Sequence, residues 1–348
     1  MESDGVEGFD AYEAKIMVFG CGGGGCNTIT RLTDMGIKGA KTVAVNTDAK
    51  HLAVSRAHHK VLIGKNLTRG LGAGGYPDVG KRAAEESREE LKEVLKGCDL
   101  LFASCGMGGG TGTGSLPVIS RIAKEMGAIV IAPITIPFRM EGARIKKAEE
   151  GLINLRDTCD TTIIIENQKL VELAGNKPLK EAFSVADDLI ATMIKGVTEL
   201  ISQPSMVNLD YADVKAIMHS GGVATIGVGS SDTKNRAQEA IQQALNNPLL
   251  DVNYEGATGA LIQIIGGEDV TLEEINEVGE TVSKKMSPDA TVMWGARIVP
   301  ENKGRLQVIT IITGVSSPYI LCSRHEEEKV NTKRLYRDFN ELGIKVLA

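Results

Sequence analysis

Two short glycine runs, each set between a strand-like apolar stretch and a helix-like stretch, constrain this chain more than any other feature. The first, Gly20-Cys-Gly-Gly-Gly-Gly25, follows a predicted strand at 15–19 and fits G-x-G-x-x-G. In that pattern the missing side chains let backbone N–H groups approach a phosphate at the positive end of the following helix. The second, Gly108-Gly-Gly-Thr-Gly-Thr-Gly114, follows a predicted strand at 100–105 and opens a predicted helix at 116–126. Its successive amides and two hydroxyls suit an anion, and so much glycine is entropically costly in a plain turn. Two such loops on neighbouring strands would bracket a polyphosphate. A third run, Gly72-Ala-Gly-Gly75, is by itself only a flexible loop, but it could close over a terminal phosphate. No G-x-x-x-x-G-K-[ST] occurs, so neutralising the phosphates falls to backbone amides and a divalent ion.

Around these loops the pattern is α/β. Helices are predicted at 27–35, opened by an Asn27 cap, and at 79–95, and strands at 15–19, 42–45, 100–105, 129–134 and 162–165. Strands alternating with helices predict a parallel sheet covered on both faces. Over 178–201, apolar residues including Phe183, Ala186, Ile190, Met193, Ile194 and Val197 recur at helical spacing, which predicts a helix of roughly 35 Å. Beyond it, strands at 223–228, 260–265, 291–298 and 306–313 interleave with helices at 232–246 and 272–286, the latter opened by the capping box Thr271-Leu-Glu-Glu274. The expected organisation is a polar extension (1–14), a parallel-sheet nucleotide domain (15–178), a central helix (179–204), a smaller α/β domain (205–316) and a charged tail (317–348).

The remaining composition mainly excludes. At 42% hydrophobic and 24% charged, 348 residues can build two cores, and a net charge of −6 disfavours nucleic acid as the main ligand. The acidic start is unlike a signal peptide and no apolar run is long enough for direct membrane insertion, so a cytoplasmic location is expected. The cysteines Cys21, Cys26, Cys98, Cys105, Cys159 and Cys322 form no C-x-x-C pair and read as reduced and mostly buried. His58 and His59 read as a surface pair, and no Ser/His/Asp or H-E-x-x-H pattern is present. Asp48 lies at the distance from the first loop at which an acidic residue holds a ribose, which keeps a nicotinamide-dependent oxidoreductase as a rival; the second glycine loop argues against it.

The run at 108–114 resembles the G-G-G-T-G-[ST]-G motif shared by FtsZ and the tubulins. Asn46-Thr-Asp48, Thr68-Arg-Gly-Leu-Gly-Ala-Gly-Gly75, Pro137-Phe138, Asn208-Leu-Asp-Tyr-Ala-Asp213 and Gly256-Ala-Thr-Gly-Ala260 resemble FtsZ in the same order. The resemblance implies a GTP-binding domain joined by a long central helix to a smaller α/β domain, with GTP/GDP and Mg2+ as ligands. It implies that Gly22, Gly23, Gly24, Cys26 and Asn27, together with Gly108, Gly109, Gly110, Thr111, Gly112, Thr113 and Gly114, hold the α- and β-phosphates. Asp48 belongs with these nucleotide-binding residues, and Ala73, Gly74 and Gly75 sense the γ-phosphate. Glu141 and Arg144 would contact the ribose end, Asn167 would recognise guanine, Phe183 would stack on the ring, and Asp187 would accept its N–H groups. Positions 183 and 187 share a helix face, although core packing is the competing reading of Phe183 and a solvated face that of Asp187. Two departures stand out: the Glu141 to Arg144 spacing is one residue shorter than in many FtsZ sequences, and Tyr76 stands where many have Asn.

None of the glycine loops supplies a group to polarise water for phosphoryl transfer. The resemblance assigns that task to Asn208, Asp210 and Asp213, reaching from one subunit into the nucleotide pocket of the next in a head-to-tail homopolymer, with Asp210 also helping to hold the metal. The competing reading is that Asp210 caps a helix and Asp213 complements its dipole. The resemblance further implies a septal-ring protein at mid-cell. In the tail, Leu335, Phe339 and Leu342 share a helical face that would dock on a membrane-tethering adaptor or fold back on its own domain. A tubulin-like regulator of cell shape is the other alternative.

Overall fold

The computed structural model describes residues 14–203, 205–207, 210–219, 222–246, 254 and 256–315. The first part of the chain alternates β1 (Ile16–Cys21), α1 (Gly22–Asp34), β2 (Ala40–Asn46), α2 (Ala49–Val54), β3 (His59–Leu62), α3 (Lys65–Thr68), α4 (Pro77–Glu86), α5 (Arg88–Leu95), β4 (Leu100–Gly106), α6 (Thr111–Glu125), β5 (Ile129–Ile136), α7 (Ala143–Arg156), β6 (Thr161–Glu166) and α8 (Asn167–Ala174). The long helix α9 (Leu179–Ser202) leads to α10 (Tyr211–His219), β7 (Gly222–Ser231), α11 (Arg236–Leu245), β8 (Gly259–Gly266), α12 (Leu272–Ser283), β9 (Thr291–Ile298) and β10 (Leu306–Thr313).

The strands form one sheet in the order β3-β2-β1-β4-β5-β6-β7-β10-β8-β9. It is parallel except at β10, which lies antiparallel between β7 and β8. The strands of the smaller α/β part adjoin the first sheet through a short parallel seam, Thr161 to Gly222, Thr162 to Val223 and Ile163 to Ala224. Helix α9 seals that seam. Its Ile190, Met193, Ile194 and Val197 pack in one core with Val18 and Phe102 of the first strands and with Ile226, Leu261 and Ile311 of the last. Glu199 of α9 also accepts from the Arg297 guanidinium of β9 at 2.6 Å.

Several element ends differ from expectation for tertiary reasons. Helix α1 starts at Gly22 rather than at an Asn27 cap, because Gly22 takes φ +70° and makes the turn in a single residue. Helix α6 likewise begins inside its glycine loop, at Thr111. The single helix expected at 79–95 is broken at Ser87, whose buried hydroxyl accepts from the Gly64 amide at 3.1 Å. The capping box at Thr271 is present, with the Glu274 amide donating to Oγ1 at 3.2 Å and the Thr271 amide donating to the Glu274 carboxylate at 2.9 Å. The described cysteines are buried and unpaired, and burial pushes the Cys26 thiol up to about 11; Cys322 and the tail residues lie outside the described residues. His58 accepts from the Thr42 amide at 3.0 Å, so it ties a strand down, and His59 begins β3.

The β1 to α1 turn depends on close backbone approach. A Cβ on Gly25 would stand 2.4 Å from the Ser104 carbonyl oxygen of β4, whereas one on Gly23 would meet nothing within 4 Å. Gly25→Ala should therefore lower unfolding stability by about 1–3 kcal/mol, and Gly23→Ala should stay within about 0.5 kcal/mol. Urea unfolding of the two variants checks this; equal losses would contradict it.

Candidate functional site

Loops after β1, β4, β5 and β6 converge where an open α/β sheet places its ligand crevice, beyond the carboxyl ends of parallel strands. They line a cleft of about 1090 Å³. At one end the N-termini of α1 and α6 meet so closely that a Cβ on Gly22 would stand 2.8 Å from the Gly112 amide nitrogen. Gly22, Gly23, Gly24 and Asn27 of α1 line this end together with Gly109, Gly110, Thr111 and Gly112. Two helix N-termini and a run of amides make an anion site without a cationic side chain.

The rest of the cleft brings an aromatic ring together with an amide and a carboxylate. Asn167, at the start of α8, and Phe183 and Asp187, one turn apart on α9, all line it. Phe183 is 39% exposed, so its ring is not closed into the core. Phe138 buttresses it edge-on at 5.6 Å between ring centroids. The Asp187 carboxylate accepts from the Thr28 hydroxyl at 2.7 Å. Burial, chiefly, pushes this carboxyl up to about 6, with the Thr28 hydrogen bond opposing, neighbouring Asp188 raising it further, and Arg31, paired with Asp188, lowering it. Between the two ends, Glu141 accepts from the Phe138 amide at 3.1 Å and from Arg144 at 2.5 Å. Despite the short spacing, both Glu141 and Arg144 line the cleft.

Other expected residues stand outside the lining. Cys26 is a fully buried residue of α1, its thiol 3.7 Å from the carbonyls of Gly20 and Val45. Gly108 packs against α7, where a Cβ would stand 2.5 Å from the Arg144 carbonyl oxygen. Thr113 is buried with its methyl toward Gly151, and the Gly114 amide is spent on the Gly110 carbonyl at 3.2 Å. These four support the loops from behind. Asp48 caps α2, one of its carboxylate oxygens accepting from the amides of Lys50 at 2.9 Å and His51 at 3.1 Å. The neighbouring Thr47 hydroxyl meets that of Thr111 at 2.7 Å. Ala73, Gly74 and Gly75 form a rim: a Cβ on Gly110 would stand 2.8 Å from the Ala73 Cβ and 3.1 Å from the Gly75 nitrogen.

Asp210 and Asp213 also lie outside this cleft. The Asp210 amide donates to the Asp213 carboxylate at 3.0 Å and the Asp213 amide to that of Asp210 at 2.8 Å, a reciprocal cap on α10. The capping role read as the alternative is thus present. Asn208 lies outside the described residues. Among the described residues no three His, Cys, Asp or Glu side chains gather as a metal cage, and no helix is long and apolar enough to cross a membrane. Sequence reasoning missed Thr28, Phe138 as a buttress, and Lys147, discussed below; their roles come from the packing of α9 on α1 and of α7 on the rim, which no local pattern signals.

Comparison with known proteins gives this geometry a family. Residues 15–175 match the family model "Tubulin/FtsZ family, GTPase domain", and residues 222–316 match "FtsZ family, C-terminal domain". The chain is 56% identical to the cell division protein FtsZ 2 of Methanocaldococcus jannaschii over 89% of this chain and 82% of that one. It is 53% identical to FtsZ 1 of Thermococcus kodakarensis over 91% and 85%. A solved structure described as an empty FtsZ dimer of M. jannaschii superposes with a TM-score of 0.82 at 50% identity, covering 90% of this chain and 95% of that one. With two glycine loops meeting at one end of a crevice also lined by Asn167, Phe183 and Asp187, and with these matches over most of its length, the chain belongs to the FtsZ branch of the tubulin/FtsZ GTPase family.

Proposed function

We propose that this chain is a cell-division GTPase whose subunits associate head to tail and complete one another's active sites. The observation that carries the reading is a division of chemistry: the cleft holds groups suited to phosphates and a purine, while the acidic pair suited to activating water, Asp210 and Asp213, lies outside it. In this reading residues 15–178 bind nucleotide, the helix at 179–204 connects, and residues 205–316 bring the acidic loop to the next subunit.

Gly22, Gly23, Gly24 and Asn27 with Gly109, Gly110, Thr111 and Gly112 hold the α- and β-phosphates through backbone amides, and Ala73, Gly74 and Gly75 cover the γ-phosphate. Glu141 and Arg144 border the ribose, Phe183 stacks on guanine, and Asn167 and Asp187 read its edge. Asp210 and Asp213 of the adjoining subunit, helped by Asn208, orient water in line with the γ-phosphorus; the oxygen bridging to the β-phosphorus leaves with GDP. Asp210 would be the protein ligand for Mg2+, which would offset phosphate charge. Cytoplasmic filaments at mid-cell, tethered by an adaptor that binds the tail (317–348), complete the proposal.

Asp213→Ala should keep GTP binding and sedimentable polymer while turnover falls by about 100-fold or more; loss of GTP binding by the isolated subunit would refute the shared site.

Asp187 makes the site sensitive to acid. Accepting guanine N–H groups requires the carboxylate, so nucleotide affinity should fall by about tenfold per pH unit below about 6. Stability of the empty subunit runs the other way. A carboxyl whose folded value lies above its ordinary 3.8 holds its proton more tightly when folded, so its contribution is greatest in acid and is lost as pH rises through about 6. Thr28→Val, which removes the donor, should move the midpoint for GDP binding upward, and Asp187→Asn should flatten the profile. An unchanged midpoint in Thr28→Val, measured by calorimetric titration, would contradict this account.

A further inference from the structure

The rim loop is held by a side chain that belongs to neither glycine run. Lys147 lies on α7 one turn beyond Arg144, which lines the cleft. Its ammonium donates to the Gly75 carbonyl at 2.6 Å and stands 5.4 Å from the centroid of the Tyr76 ring. Each contact is of a kind that strengthens when partly desolvated, a charge-assisted hydrogen bond and a cation over an aromatic face.

What they hold in place faces the phosphate end. The amides of Gly75 and Tyr76 sit over Gly110, the residue before α6, 3.1 Å and 2.8 Å from where its Cβ would be. The Tyr76 amide turns back to the Ala73 carbonyl at 3.1 Å, closing a tight turn, while the amides of Ala73, Gly74 and Gly75 donate to no acceptor among the described residues. Three consecutive N–H groups without a protein acceptor are the donor set that an anion-binding concavity needs, but a glycine-rich turn is costly to order. Anchoring its last carbonyl and its following ring to a helix removes much of that cost before any ligand arrives.

We propose that Lys147 is a positioning residue for nucleotide-state discrimination: by tethering Gly75 and Tyr76 to α7 it presets the rim amides to receive a third phosphate, so that the site prefers a nucleoside triphosphate over a diphosphate. The inference rests on the nucleotide-site reading above. Tyr76 fits the same logic, since its ring gives the ammonium a face that an amide side chain would not offer.

The test is equilibrium binding of GDP and of a slowly hydrolysed γ-thio analogue of GTP to the full chain, kept dilute so that subunits do not associate. Lys147→Met keeps most of the aliphatic stem and removes the charge. It should weaken the triphosphate analogue by about tenfold, the scale of one charge-assisted hydrogen bond, and leave GDP within about twofold, which also shows that the variant folds. Lys147→Arg, which can still reach the carbonyl and stack on Tyr76, should recover most of the triphosphate affinity. Equal loss for both nucleotides, no loss for either, or no recovery with arginine would overturn the proposal. If the unaltered chain binds neither nucleotide, the underlying reading of the site fails, and the inference with it.

Discussion

The structure depends on the near contact of two strand-to-helix turns. Gly25 lets α1 lie against the Ser104 carbonyl of β4, and Gly22 brings the α1 N-terminus to within van der Waals reach of the Gly112 amide at the start of α6. Side chains at these points would force the helices apart and separate the two sets of amides. Because they meet, a chain with no P-loop lysine still concentrates two helix-dipole ends and a row of N–H donors on one spot. Polyphosphate binding by this fold is therefore a property of backbone packing.

Helix α9 carries that local arrangement to the rest of the molecule. Its pocket-facing residues, Phe183 and Asp187, belong to the same helix whose later turns fill the core shared by the first and last strands. Occupancy of the cleft thus bears on an element that also touches β8, β10 and, through Glu199 and Arg297, β9. Helix α10, capped by Asp210 and Asp213, packs into the same core through Val214, Ile217 and Met218. The nucleotide end and the acidic end of one subunit are in this way mounted on a common apolar mass.

Much of this was legible in the chain itself. Alternation of strands and helices, the long helix beginning near Pro178, the Thr271 capping box and the grouping of Phe183 with Asp187 all follow from period and spacing, which are local properties. Features set by distant partners were not legible. Nothing near Ser87 announces that the Gly64 amide will break the helix there, and Asn27 has the chemistry of a cap but is pre-empted by Gly22 five residues earlier. The seam between β6 and β7 joins residues about sixty positions apart through only three register pairs, too short a match to show as a pattern. The cap made by Asp48 was not legible for a similar reason: an acidic residue at ribose-binding distance and an acidic residue capping a short helix look alike until α2 is seen.

The central claim is that catalysis requires two subunits. Phosphate release from GTP, with magnesium and with ATP in parallel, should be measured across a wide range of protein concentration. The account predicts that activity per subunit is near zero when dilute, rises steeply above a threshold and ignores ATP. Activity per subunit that stays flat from dilute to concentrated protein would place the catalytic groups within a single chain and contradict it.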